Sequence, residues 1–272
     1  MRTNLSSQIS LNHVSPRYYK PENAVERSVL TRLEKIPTDI FETIEEGVRR
    51  IADEVAAKIQ ERQREGKFCT LAIGTGTSLR PLFTELVRRH KDEGLSFRNV
   101  VVFNLYEFYP LTEGNGSTFG QLNSLFLSQT DIDRQNVFTI DGSIPQNAIS
   151  EHCRLYEQRI QTFGGIDIVL MGIGREGNIG MNEPGSHASS PTRLILLDAT
   201  SRSEAARNWG VDNLPPCSIT MGVQTILSAR KIYLLTWGED KADNHSVSCT
   251  KKYQRYTPGF IPSAAQQCKC MH

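Results

Sequence analysis

The sequence predicts an α/β fold in which helices cover both faces of a doubly wound, mostly parallel sheet. Short segments that are apolar throughout alternate along the chain with longer amphipathic segments, and wholly apolar strands are typical of parallel sheets that are buried on both faces. Glycine-rich and polar segments follow several of these strands directly. Ligands of such folds bind beyond the carboxyl ends of the strands, so functional residues are expected there.

The first regular element is a helix predicted over residues 40–63, where isoleucine and valine recur at helical spacing. The predicted strands are residues 68–73, 100–103, 137–140, 166–171, 194–197 and 232–235. Further helices are predicted after residue 78 and over residues 146–162. This alternation of strands and helices predicts the parallel sheet.

Composition and charge restrict the class of partner. The 272 residues carry a formal net charge of +1, so no imbalance favours nucleic acid or an anionic membrane. No apolar run approaches the ~20 residues that span a bilayer, and the N-terminus has no apolar core of the kind found in secretory signals. We therefore expect a cytoplasmic protein whose partner is a small molecule, with no nucleic acid and no membrane bound.

The segment Gly74–Ser78, Gly-Thr-Gly-Thr-Ser, lies between the first predicted strand and a predicted helix. Glycines permit a tight turn, and amides and hydroxyl groups before a helix N-terminus form a site for anions such as phosphate. Arg202 and Lys241 follow later strands and would add cations to such a site. An ordinary strand–helix turn and ordinary surface charges are the alternatives, and the segment alone does not choose between them.

Carboxylates follow two other predicted strands. Glu107 comes just after the strand at 100–103, where a solvated loop acid is the alternative interpretation. The loop at 172–184 is rich in glycine and contains Glu176 and Glu183. Carboxylates can transfer protons, so the 172–184 loop is a candidate for catalysis, whereas for Glu107 taken alone the solvated loop acid is the favoured interpretation.

Together these motifs resemble those of the glucosamine-6-phosphate deaminase (isomerase) family. They are Gly-Thr-Gly-Thr-Ser at 74–78, Phe-Asn-x-x-Glu at 103–107 and Gly-x-Gly-x-x-Gly-x-Ile-x-x-Asn-Glu-Pro at 172–184. The resemblance runs from about residue 39 to residue 242 in the same order and spacing. Its Asn-Glu-Pro-Gly-Ser element argues against the related 6-phosphogluconolactonases.

The resemblance implies a fold of the deaminase, ribose-5-phosphate isomerase and CoA-transferase kind. It also implies an enzyme that converts glucosamine 6-phosphate and water to fructose 6-phosphate and ammonia by ring opening, proton abstraction at C2 and hydrolytic deamination. Neither a cofactor nor a metal is implied. By position, the phosphate would be held by Thr75, Gly76, Thr77, Ser78, Arg202 and Lys241.

The chain departs from the family pattern at two positions that carry chemistry. Tyr106 stands where the family has the aspartate that takes the C2 proton, and Asn178 replaces the histidine that opens the ring. A tyrosine with a pKa near 10 is a poor base at neutral pH, and asparagine cannot shuttle a proton. Glu107 and Glu183 are retained, and Glu176 stands at the position of a supporting aspartate.

Three functions remain open. In the favoured one, the chain is a deaminase whose catalytic residues are Glu107, Glu176, Asn178 and Glu183, with Glu107 or Glu183 as the base. In the second, it binds a phosphosugar without turnover, as a regulatory domain. In the third, it isomerises or hydrolyses another phosphosugar, as a 6-phosphogluconolactonase-like hydrolase does. Family members form oligomers, which makes a homo-oligomer an expectation here too.

The allosteric site of the family is incomplete in this chain. Ser186 and Arg193 are retained, whereas Ile195 stands where the family has a lysine. We therefore expect no activation by N-acetylglucosamine 6-phosphate.

Three regions are expected along the chain: an N-terminal extension at 1–36, the α/β domain at 37–242 and an aberrant tail at 243–272. The family continues past residue 242 with a helix and a Ser-x-Leu-Gln-x-His segment, but residues 259–272 have neither helical nor strand periodicity. One back-translation of them, read from its second base, encodes a segment of the expected kind. We therefore expect a frameshift near residue 242 and a disordered tail.

Overall fold

The computed structural model describes residues 23–25, 38–111, 116–174, 177–210, 214–237 and 268–271. Its strands are β1 Thr38–Asp39, β2 Cys69–Ile73, β3 Val100–Asn104, β4 Tyr106–Tyr109, β5 Val137–Phe138, β6 Ile168–Gly172, β7 Arg193–Leu196, β8 Cys217–Thr220, β9 Lys231–Leu235 and β10 Cys268–Met271. Its α-helices are α1 Ile44–Arg64, α2 Arg80–Glu93, α3 Thr118–Leu125, α4 Ile149–Thr162, α5 Ala199–Trp209 and α6 Val223–Leu227.

The larger sheet has the strand order β1-β10-β9-β6-β2-β3-β5, and each neighbouring pair in it is parallel. The chain fills this sheet in two directions from β2, towards β3 on one side and towards β6 on the other. The predicted doubly wound α/β fold is confirmed. A second sheet, of order β4-β8-β7, is antiparallel.

Successive residues of the central strands enter different cores, as the period of two in a strand requires. In β2, Leu71 and Ile73 pack into a core under α1, α2 and α3, which we call the three-helix core. Ala72 packs into a core formed with α4 and the antiparallel sheet, which we call the small-sheet core. Both faces of the sheet are therefore buried, which explains why its strands are apolar throughout.

Local signals fix the ends of the helices around the sheet. Thr43 precedes α1 and its hydroxyl accepts the Glu46 N–H, as an N-cap residue does. Helix α2 ends at Gly94, whose φ of 72° is readily adopted by glycine. The helix predicted at 40–63 is confirmed with its start moved to Ile44, because the cap at Thr43 leaves the earlier residues outside.

Three predictions about strands need correction. The strand predicted at 137–140 is only two residues long, at Val137–Phe138. The strand predicted at 194–197 is β7, which lies in the antiparallel sheet and not in the parallel one. Glu107, predicted in a loop, lies in β4 and is buried. Apolar periodicity identifies strands but does not specify their partners, so the second sheet could not be predicted from it.

The last described segment differs from the predicted tail. Residues 268–271 form β10, which pairs in parallel with both β9 and β1, so the expectation of no strand there was wrong. Strand pairing uses main-chain groups and needs no side-chain alternation. Residues 243–267, like the extension at 1–36 apart from 23–25, lie outside the described residues. Among the helices of the described segments, none is long and apolar enough to cross a membrane.

Candidate active site

A cavity of about 100 Å³ lies at the carboxyl ends of β2, β3 and β6. Strands β2 and β6 are neighbours although distant in sequence, so this is where the direction of strand order reverses and where ligands of doubly wound sheets bind. The lining residues are Gly74, Thr75, Gly76, Thr77, Ser78, Leu105, Tyr106, Met171, Gly172, Ile173, Gly174, Asn178, Gly180, Met181, Ser201 and Ala205.

A larger groove of about 1050 Å³ lies elsewhere, between α4 and residues 191–194. None of the predicted catalytic or phosphate-binding residues lines it. The cavity at the strand ends is smaller, but it contains the polar residues that the sequence singles out. We therefore treat the cavity as the candidate site.

The Gly74–Ser78 segment forms a compact turn at the end of β2. The Gly74 N–H donates to the Leu170 carbonyl of β6 at 2.9 Å, and the Leu79 N–H donates to the Gly76 carbonyl at 3.0 Å. A single 3₁₀ turn, Thr77–Leu79, then leads into α2. Amides and hydroxyl groups ahead of a helix N-terminus suit an anion, so the turn stays a candidate for the predicted phosphate cradle.

Tyr106, which stands where the resemblance implies an aspartate, places a buried phenol in the cavity wall. Its side chain lines the cavity and is 7% exposed, and its hydroxyl accepts the Thr75 hydroxyl at 3.4 Å. Burial raises the pKa of Tyr106 to about 12. The phenol therefore stays protonated at neutral pH, where it can donate a hydrogen bond but cannot act as a base.

Glu107, the next residue, lies behind the cavity and is not part of its lining. Its Oε1 accepts the N–H groups of Phe108 and Thr118 at 3.0 and 2.9 Å. Its Oε2 accepts the Ser117 hydroxyl at 2.8 Å and the Phe119 N–H at 3.1 Å. Both oxygens are thus engaged at the start of α3, where a negative charge is favourable. This arrangement favours a positioning role for Glu107.

Asn178 lies in the cavity wall and packs closely on Gly174. The Gly174 N–H donates to the Asn178 carbonyl at 3.0 Å, and a Cβ at position 174 would lie 1.9 Å from Asn178 Oδ1. The Asn178 side chain is 8% exposed, and its Oδ1 has no hydrogen-bond partner in the described structure. A buried acceptor without a partner is costly, which makes the Asn178 amide an unsatisfied polar group in this wall of the cavity.

Glu183 does not line the cavity itself but accepts a hydrogen bond from a residue that does. Its Oε2 accepts the hydroxyl of Ser201, which lines the cavity, at 2.9 Å, and its Oε1 accepts the Asp198 N–H at 3.2 Å. These bonds join the 172–184 loop to the start of α5. The same loop is held from its other side by Arg193, which donates to Asn182 Oδ1 at 2.8 Å and to the Ser186 hydroxyl at 3.0 Å.

The structure brings only part of the predicted set together. Thr75, Gly76, Thr77, Ser78 and Asn178 line the cavity. Arg202 lies on α5 beside the lining residue Ser201 but is not part of the lining itself. Glu176 and Lys241 lie outside the described residues, and their roles stay predictions.

Sequence reasoning missed helix α5, which covers the cavity with Ser201 and Ala205. Its signal was present: Asp198 caps the helix by accepting the Thr200 N–H at 2.7 Å, and Gly210 ends it with a φ of 66°. An aspartate followed by small helix formers and a glycine is the usual pattern of such a helix. Across the described segments, no group of His, Cys, Asp and Glu is arranged to hold a metal ion.

The fold and the cavity define a mostly parallel α/β protein with a candidate ligand site at the reversal of strand order. Residues 42–267 match the sequence model of the glucosamine-6-phosphate isomerases/6-phosphogluconolactonase family. The chain belongs to this family. The match begins near residue 39, where the resemblance was predicted to start, but it continues past residue 242, where the resemblance was expected to stop.

Individual relatives agree with this assignment. The chain is 62% identical over 244 residues to a glucosamine-6-phosphate deaminase-like protein of Bacteroides thetaiotaomicron, covering 89% of this chain and 37% of that protein. The chain therefore spans 37% of the length of this relative. It is also 36% identical over 194 residues to a glucosamine-6-phosphate deaminase of Bacillus velezensis, covering 71% of this chain and 80% of the relative.

Solved structures show the same fold. A monomeric glucosamine-6-phosphate deaminase aligns with a TM-score of 0.74 at 30% identity, over 87% of this chain and 96% of its own. A 6-phosphogluconolactonase of Thermotoga maritima aligns with a TM-score of 0.65 at 14% identity, over 87% of this chain and 98% of its own. At that identity the second likeness concerns the fold alone.

Proposed function

We propose that this chain binds glucosamine 6-phosphate in the cavity and converts it, with water, to fructose 6-phosphate and ammonia. The observation that carries the proposal is that the Thr75–Ser78 cradle and Asn178, whose Oδ1 is buried and has no partner in the described structure, line one cavity. A cradle of amides and hydroxyl groups suits the phosphate, and a buried acceptor suits a hydroxyl or amino group of the sugar. Membership of the family and the relatives named as deaminases support the choice of substrate.

In the proposed reaction, one side of the cavity binds the phosphate and the other contacts the reacting sugar carbons. The cradle grips the phosphate, which fixes the sugar carbons against the opposite wall. Tyr106 and Asn178 form hydrogen bonds there and transfer no proton. Glu183, held through Ser201 at the edge of the cavity, is the described carboxylate that we assign as the base for the C2 proton. Glu107 is assigned a positioning role, because four hydrogen bonds already engage its carboxylate.

A second function, phosphosugar binding without turnover, is favoured by a separate observation. The residue at the usual position of the base is a phenol with a pKa of about 12, and Asn178 has no titratable proton. A site that keeps its cradle but lacks both proton-transfer groups would hold the ligand and release it unchanged. Such a chain would act as a phosphosugar sensor.

Ammonia release from glucosamine 6-phosphate distinguishes the two functions. The purified chain would be compared with Glu183→Gln and with Glu151→Gln, a control on the exposed side of α4. Release that is lost in Glu183→Gln and kept in Glu151→Gln supports the deaminase. Calorimetric binding of glucosamine 6-phosphate without any release supports the sensor. Absence of both binding and release would contradict the cavity as a phosphosugar site.

A further inference from the structure

The cradle is held from outside the cavity by an aromatic residue that follows β9. The indole Nε1 of Trp237 donates a hydrogen bond of 2.7 Å to the backbone carbonyl of Ser78. On the other side of the same peptide unit, the Leu79 N–H donates to the Gly76 carbonyl at 3.0 Å. Both polar groups of the Ser78–Leu79 peptide are therefore engaged. This fixes the plane of the peptide and, with it, the curvature of the turn.

Helix α1 is shaped to receive the indole ring. Gly47 lies in the first turns of α1 and is buried. A Cβ there would lie 2.9 Å from Cη2 and 3.0 Å from Cζ3 of Trp237, and 3.2 Å from Cδ2 of Phe41. Glycine is unfavourable inside a helix, and the close approach of the ring gives the reason for it here. Any larger residue would push the ring away from its place beside the cradle.

We infer that Trp237 is a positioning residue for the phosphate end of the cavity, and that Gly47 provides the space it needs. The inference rests on the proposed function, because it takes the cradle to be the phosphate site. Trp237 does not touch the ligand in this arrangement. It acts through the Ser78 carbonyl, which it holds so that the Thr77 and Ser78 groups stay directed into the cavity.

The matched variants are Trp237→Phe, which keeps an aromatic ring and removes the N–H donor, and Gly47→Ala, which displaces the ring and keeps the donor. Affinity for inorganic phosphate and for glucosamine 6-phosphate would be measured by calorimetry. We expect each variant to lower the affinity for both ligands by roughly fivefold, the factor that corresponds to one ordinary hydrogen bond. Since the ring acts on the part of the cavity that holds the phosphate, the affinities for the two ligands should fall by the same factor.

Hydrogen exchange gives a readout that a general loss of stability would not imitate. In Trp237→Phe without ligand, the amides of residues 74–79 should exchange faster, while those of the distant strand β5 should not change. Fluorescence gives a second readout, because the sequence contains two tryptophans. Binding of inorganic phosphate should alter the emission of Trp209→Phe, in which Trp237 is the one remaining tryptophan, and an unchanged emission would count against the role of Trp237.

The outcomes separate this inference from the proposed reaction. Phosphate binding that weakens in both variants, without ammonia release in the wild type, would support the role of Trp237 and contradict the deaminase. Unchanged affinity and unchanged exchange in Trp237→Phe would overturn the role of Trp237 and leave the reaction standing. A wild type that binds neither ligand would overturn both.

Discussion

The carboxylate of Glu107 caps helix α3: its Oε1 accepts the backbone N–H of Thr118, the first residue of that helix, at 2.9 Å. The helix N-terminus has a partial positive charge, and a buried anion is stabilised there. This residue was predicted to be catalytic from its place in the Phe-Asn-x-x-Glu motif at 103–107, and the structure favours a positioning role instead. If Glu107 is the base, loss of its charge should abolish the reaction, whereas if it caps α3, the loss should lower stability.

Glu107→Gln should lower the free energy of unfolding by about 3 kcal/mol, because an amide cannot accept all four hydrogen bonds and its NH₂ would face other donors. Urea denaturation would measure this change. Glu151→Gln, whose carboxylate is exposed and paired with Arg154, should change it by less than about 0.5 kcal/mol. Full stability of Glu107→Gln together with lost ammonia release would instead restore Glu107 as the base.

Ionisation of Tyr106 should be delayed to high pH. Its pKa is about 12 in the folded chain against an ordinary value of 10.0, because the phenol is buried. The folded state therefore holds the proton more tightly, and the resulting stability, present below pH 10, is lost as the pH rises towards 12. The tyrosinate absorbance of the wild type minus that of Tyr106→Phe, with folding checked by circular dichroism, would give the midpoint. A midpoint near 10 would contradict the burial argument.

Gly174→Ala should damage the cavity wall directly. The new Cβ would lie 1.9 Å from Asn178 Oδ1, so the amide of this lining residue must move and the shape of the cavity would change. We expect affinity for glucosamine 6-phosphate to fall on the order of 10-fold or more, since small displacements of a side chain in a binding site are costly. Gly120→Ala in α3, where the nearest atom would be 3.5 Å away, should leave binding unchanged. Calorimetry on both variants decides the matter.

Arg202 is predicted to hold the phosphate, although its side chain is not part of the cavity lining. Arg202→Ala should weaken binding of inorganic phosphate by roughly 10-fold, the effect of one charge-assisted hydrogen bond. Arg207, in the last turn of the same helix, offers a matched comparison through Arg207→Ala. If Arg207→Ala weakens phosphate binding and Arg202→Ala does not, the cation of the site has been assigned to the wrong turn of α5.

N-acetylglucosamine 6-phosphate should not activate the chain. Arg193 of the retained pair is engaged with Asn182 and Ser186, and Ile195 supplies no second cation. Ammonia release against substrate concentration should follow the same curve with and without this compound. Activation that is lost in Arg193→Ala would show that one arginine suffices.

The parallel sheet could be predicted because both of its faces are buried, which makes strands such as Val100–Asn104 apolar throughout. The antiparallel sheet could not, because Tyr106–Tyr109 is too short to reveal its partner and Arg193–Leu196 is half exposed. The turn at residues 74–78 was predictable from its glycines, and its role in binding phosphate stays a prediction. The hydrogen bonds of Glu107 were not predictable, because they are made with the start of α3, which lies ten residues further along the chain.

The two cores on opposite faces of the sheet also divide the cavity. Leu79, which anchors the cradle, belongs to the three-helix core, whereas Tyr106 in the opposite wall belongs to the small-sheet core. The two walls are joined by the hydrogen bond from Thr75 to Tyr106, but the side chains of the two cores otherwise form separate clusters, and side chains that share no partners contribute to stability almost additively. Evolution could therefore exchange residues of the wall around Tyr106 while the turn at 74–78 kept its shape. The same modularity would let a designer alter one wall of the cavity without rebuilding the other.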